Sequence, residues 1–191
     1  MKKIIFTCSL LLIFITATFS QSTQWKVWKT IKVGTGINSS NQFLNALHQK
    51  GFVIPRYDSI RTYPVLDSVK FSKTESSINL VLVPRDQFKG VDHQKFDDLL
   101  AKAKSLGLKP CPAEVALQLR LQYTNQPKDE SFFVAMEPIS LHDKYSKFNN
   151  YIFYLNGKIC GGNGKPGLTT SDLGYGWYYN DVKFFVFCVT K

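Results

Sequence analysis

Histidine is scarce, with three in 191 residues, and none belongs to a recognisable base-orienter or Cys-His-Asn arrangement. His93 stands one helical turn before Asp97, as a metal pair does. No third ligand is identifiable, so no metal and no cofactor is assigned. The chain also lacks the Walker lysine and the full dinucleotide fingerprint, which leaves Gly34-Thr35-Gly36 as a tight turn rather than an anion cradle. Acidic residues number 14 against 24 basic ones, yet the lysines and arginines form no block. Their closest spacing is Lys26, Lys29 and Lys32. This excludes a polybasic nucleic-acid site and leaves general attraction to anionic surfaces. Internal repeats and low-complexity tracts are absent too.

The longest apolar run, Ile4–Phe19, falls short of the roughly 20 residues of a membrane-spanning helix. Lys2 and Lys3 precede it, and Thr18-Phe19-Ser20 offers small residues for cleavage. Residues 1–20 therefore read as a signal peptide, with a mature domain over 21–191. The expected location is periplasmic or extracellular, with membrane contact only through the N-terminal segment if it is retained. Without Lys2 and Lys3, 22 basic residues face 14 acidic ones, a net charge of +8. One domain of this length can bury a core unaided.

Export permits disulfides, and the mature chain keeps Cys111, Cys160 and Cys188. Cys160 and Cys188 both fall at predicted C-terminal strands, so these two are expected to pair, with Cys111 left as a free thiol.

Cys111-Pro112-Ala113-Glu114 reads as a helix start. Gly107 closes the preceding helix, Pro112 takes the first helical position, and Glu114 falls where a capping-box carboxylate reaches back. A thiol at a helix N-terminus is a candidate nucleophile, with Glu114 in support. The plainer reading is a small buried side chain. Beyond Val115, Leu117, Leu119, Leu121 and Tyr123 alternate with Gln118, Arg120 and Gln122, which is the period of a strand. The TNQPKDE turn then predicts a hairpin from 118–123 to 131–138. Arg120 and Glu137 are its embedded charges and read as a structural pair. These stretches (CPAEV, LRLQY, QP and AMEPI), with WKTIKVGTG at Trp28–Gly36, resemble a family of uncharacterised bacterial proteins. No established activity comes with that resemblance. It covers Cys111 and neither Cys160 nor Cys188, so it implies a staple acquired by an exported offshoot.

Elsewhere, strands are expected over 26–33, 78–83, 151–156 and 183–189, and a short one over 68–73. Helices are expected over 40–50 and 93–105, with a short one at 112–117. Ser39 and Gln42 cap the first, Asp92 the second. Phe52–Asp67, punctuated by Pro55 and Pro64, reads as loop. Asn156-Gly157 signals a hairpin turn with a short strand over 158–160. The architecture these elements predict is a single α+β domain, with a mainly antiparallel or mixed sheet of about five to seven strands and two or three helices on one face.

Gly161–Asp181 carries six glycines and one proline, which argues against a regular element. It packs Tyr175, Trp177 and Tyr178 among Asn163, Lys165 and Asp172. Rings beside amide and charged groups suit amphipathic ligands such as glycans and peptides. A second reading folds these aromatics back as an extra strand over the sheet. The expected function is accordingly a non-enzymatic cell-envelope protein that binds a glycan, peptide or protein through this loop. A hydrolase-like enzyme using Cys111 is the alternative.

Overall fold

The computed structural model describes residues 25–56, 59–91, 95–141, 150–158, 164–173 and 182–189. The expected signal segment lies outside them. The strand that organises the rest is β7 (Phe184–Val189, FFVFCV), whose side chains are apolar on both faces, as a covered central strand requires. It pairs antiparallel with β2 (Ser76–Pro84) and parallel with β3 (Ser131–Val134). Outward from β2 comes β1 (Lys29–Val33). Outward from β3 comes β5 (Asn150–Asn156), which is extended on the β3 side by the short β4 (Ile139–Ser140). On its other side β5 carries β6 (Gly167–Asp172). The result is the expected α+β domain with a seven-stranded mixed sheet.

Alternation along the strands gives each face its own core. On one face the Phe88 ring lies 5.6 Å from Phe185 and 5.8 Å from Phe187, and Phe133 stacks on Phe185 at 6.1 Å. On the other, Phe132 takes Trp28 edge-on at 5.5 Å. Three helices cover that second face: α1 (Ser40–Gln49), α2 (Ser59–Asp67) and α4 (Glu114–Gln122). A fourth helix, α3 (Phe96–Ser105), packs against the 3-10 turn that carries Phe88. Each fully buried phenylalanine contributes about 2–3 kcal/mol of apolar transfer.

Local signals account for the ends of α1. Ser39 accepts from the Gln42 amide N–H at 3.3 Å, while the Gln42 side chain accepts from the Asn38 N–H at 2.9 Å, one residue earlier than a strict capping box. Gly51, at φ +74°, stops the helix as expected. The start of α3 is at Phe96 rather than His93. His93 and the expected cap, Asp92, lie outside the described residues.

Several expectations fail. Residues 118–123 are not a strand: the whole of Glu114–Gln122 is helix, so no hairpin joins it to β3. The alternation was misleading because Gln118 and Arg120 are buried along with the leucines, and a helix buried on every side shows no apolar stripe. Phe52–Asp67 is not all loop, because α2 forms despite Pro64 in its interior. Thr62, Val65 and Leu66 give it a buried stripe at helical spacing, Val69 is buried just beyond its end, and packing overrides the proline. Residues 68–73 are not a strand. Of the strand expected over 26–33, only Lys29–Val33 forms β1, and Val27 before it is 42% exposed. The expected strand over 131–138 breaks after Val134, and Pro138, which has no N–H to offer the ladder, precedes β4. Asn156 continues β5 and pairs with Gly167, while residues 159–160 of the expected short strand lie outside the described residues.

Candidate functional site

Two groups of chemistry-bearing side chains lie within the described residues, and both flank α4. The first is a polar ladder on α4 itself: Glu114, Gln118 and Gln122, spaced four residues apart and so on one face of the helix. Glu114 is fully buried. Its carboxylate accepts from the backbone N–H of Gly34 at 2.8 Å and of Ser72 at 2.7 Å. Gln118 donates to the Thr35 hydroxyl at 2.9 Å. Gln122 pairs with both backbone groups of Lys32, donating to its C=O at 2.7 Å and accepting from its N–H at 2.9 Å. A side-chain amide here does the work of a neighbouring strand on β1.

The Glu114 carboxylate therefore does not close a capping box on Cys111, whose N–H goes to Ala135. It fixes the Gly34-Thr35-Gly36 turn from inside. Gly34 adopts φ +68°, and a Cβ there would lie 2.2 Å from the Thr74 carbonyl oxygen. Its N–H, which an anion would need, is already taken by Glu114. The turn is a structural joint.

Arg120 projects from another side of α4 and is also fully buried. Its guanidinium donates to the Gln126 side chain and the Tyr123 carbonyl, and lies 4.2 Å from the centre of the Phe52 ring. Burial pushes it down to about 10, against the pull of Tyr123 and Glu130. It remains a cation at neutral pH. Glu137, its expected partner, is instead exposed. The same surroundings push the Tyr123 hydroxyl up, through burial first and then its hydrogen bond to Glu130. Above it, Lys29 sits 3.9 Å from the Tyr123 ring centre and 5.1 Å from that of Trp28. Lys29, at the start of β1, thus rests on aromatic faces.

The second group is a pair of thiols. The segment Lys109–Cys111 runs beside the end of β7. Lys109 and Cys188 exchange both backbone hydrogen bonds, at 3.1 and 3.0 Å, and the Cys111 N–H donates to the Ala135 carbonyl at 2.7 Å. Cys111 precedes α4 by three residues and is not its N-cap, which is Ala113. Its thiol is 3% exposed and lies 2.7 Å from the Cys188 sulfur. Burial, and then the Cys188 contact, raises the Cys111 thiol well above its ordinary range. That is the reverse of an activated thiolate. Both cysteines are free thiols. Cys188, expected to bridge Cys160, thus has Cys111 as its sulfur neighbour, and Cys160 lies outside the described residues. Next to this pair opens a cleft of about 480 Å³, with Leu100, Leu108 and Pro110 as its apolar wall and Lys104, Lys109 and Glu137 around it.

The expected recognition segment is only partly described. Asn163, Tyr175, Trp177 and Tyr178 lie outside the described residues. Within them the segment holds a regular strand, β6, which its glycines had argued against. Lys165 is exposed just before β6, and Asp172 ends it opposite Tyr151. About 17 Å of strand separates Gly167 from Asp172. The lysine and the aspartate therefore do not line one pocket. Among the described residues no cluster of metal-ligating side chains occurs, and no helix is long and apolar enough to cross a membrane.

The Glu-Gln-Gln spacing was open to sequence reading, since polar residues at i, i+4 and i+8 mark one helical face. The thiol pair had no local signal. No protein-family model, no curated protein and no solved structure matches this chain.

Proposed function

We propose that this chain is an exported, non-enzymatic binding protein of the cell envelope, which takes up a glycan, peptide or protein through the aromatic segment after β6. The observation that supports it is the placement of the two candidates for chemistry. Glu114 is engaged by backbone N–H groups, and the Cys111 thiol is buried against a second sulfur. Their reactivity is spent on the fold. The segment that follows the edge strand β6 instead carries Tyr175, Trp177 and Tyr178 close in sequence to Asp172.

Asp172 stands three positions before Tyr175, whereas Lys165 is at the far end of β6. Recognition therefore falls to Asp172, Tyr175, Trp177 and Tyr178. Ring faces bind the apolar side of a sugar or peptide, and the carboxylate takes its hydroxyl or amide donors. Nucleic acid is not an expected partner.

The test uses cosedimentation with purified peptidoglycan sacculi and, in parallel, capture on immobilised envelope peptides. The joint change Trp177→Ala and Tyr178→Ala is expected to abolish capture with the thermal midpoint unchanged. Lys165→Ala is expected to leave capture intact. Full capture by the double variant discards the segment as the site.

A further inference from the structure

We propose that Cys111 and Cys188 close to a disulfide in the oxidised protein, fastening the start of α4 to the central strand of the sheet. The two sulfurs, 77 residues apart in sequence, stand at 2.7 Å, closer than non-bonded sulfur atoms rest. The backbone around them is already fixed. Lys109 and Cys188 form a hydrogen-bonded antiparallel bridge, and Cys111 is held to Ala135 by its own N–H. Pro110 and Pro112 bracket Cys111 and restrict its backbone further. No change of register is needed to bring the thiols together, which is the requirement a bridge places on a fold.

The bond forms by thiol–disulfide exchange. The oxidant is a disulfide, either a small molecule such as oxidised glutathione or the oxidised form of a thiol oxidoreductase. Cys188, 9% exposed against 3% for Cys111, is the entry point. Its thiolate attacks one oxidant sulfur and expels the other as a thiol. Cys111 then attacks the Cys188 sulfur of the mixed disulfide and releases the second thiol. Two protons and two electrons leave the protein, and the oxidant is reduced to two thiols.

The consequence reaches the neighbouring cleft. Lys109 and Pro110 belong to the segment that the bond would tie down, while Leu100 and Lys104 belong to α3. Oxidation would hold one wall of the cleft to β7. The bond would also close a long loop in the unfolded chain, which disfavours unfolding.

Tryptic mapping separates the possibilities, because Cys111, Cys160 and Cys188 fall in peptides 105–120, 159–183 and 184–191, with Lys109 and Lys165 each followed by proline. The full chain is refolded with oxidised glutathione, alkylated and digested. The expected product joins 105–120 to 184–191, with Cys160 alkylated. Cys160→Ser keeps that product and Cys111→Ser removes it. The oxidised chain is expected to melt on the order of 10 °C above the reduced one. A link from Cys160 to either cysteine, alkylation of Cys111, Cys160 and Cys188 alike, or a Cys111–Cys188 bond with no gain in melting temperature each overturns the proposal.

Discussion

The two outer strands of the sheet are finished differently. At β1 the exposed edge is occupied by side chains of α4: Gln122 copies a strand's hydrogen bonds on Lys32, and Glu114 holds the turn that follows. At β6 the cover is backbone and brief. Val53 pairs with the start of the strand, donating to the Pro166 carbonyl at 3.3 Å and accepting from the Leu168 N–H at 3.1 Å. Further along β6, the Thr170 hydroxyl meets that of Thr62 on α2 at 3.2 Å. An unprotected edge invites pairing with other chains. The sealed edge is thus a stability device, while the lightly covered one leads into the segment proposed for recognition. The contrast explains why the buried polar residues that seal this edge, Glu114 and Gln118, say so little about function.

Substitutions can break this contrast, and the largest effect is expected at Glu114. Glu114→Ala leaves the Gly34 and Ser72 N–H groups without their acceptor and opens a space in the core. A loss of about 3–4 kcal/mol in urea unfolding is expected. A loss below about 1 kcal/mol would mean that the β1 edge does not depend on α4. Next is Gln122→Ala, expected to cost about 1–2 kcal/mol and to speed hydrogen exchange at the Lys32 amide. Unchanged exchange there would show that Gln122 is not the edge cover.

Thr170→Val sharpens the other side of the comparison. It removes one side-chain hydrogen bond at β6 and is expected to cost about 1 kcal/mol or less by the same unfolding measurement. Ligand capture should persist. The smallest effect belongs to Glu75→Ala, which breaks the exposed Lys32–Glu75 ion pair at 2.8 Å. Its melting temperature should match that of the parent, because exposed pairs contribute little. A clear drop would make surface charge part of the β1 seal.

Much of the sheet was legible. INLVLV and FFVFCV are short, β-branched or aromatic, and apolar on both faces, so burial alone identifies them. The first helix was legible because Phe43 and Leu47 face inward and Ser39 and Gly51 mark its ends. The second was not, and of the fourth only the start was, for opposite reasons. In α4 the polar residues are buried with the apolar ones, which erased the helical period. In α2 a proline outweighed a buried stripe of three residues. Strand β6 was hidden by the glycines on either side of TTSD. The sulfur contact depends on a 77-residue separation, which no local pattern encodes. Glu114 was noticed for its place beside a cysteine, although its partners lie in Gly34 and Ser72, far along the chain.

The central claim is that Cys111 serves the fold and not a reaction. The direct measurement is the iodoacetamide labelling rate of Cys111 in the fully reduced chain at neutral pH, native against urea-unfolded. The account predicts labelling slowed by at least a hundredfold in the native state, limited by opening of the core. Native labelling as fast as, or faster than, that of the unfolded chain would contradict it and return Cys111 to the nucleophile's role.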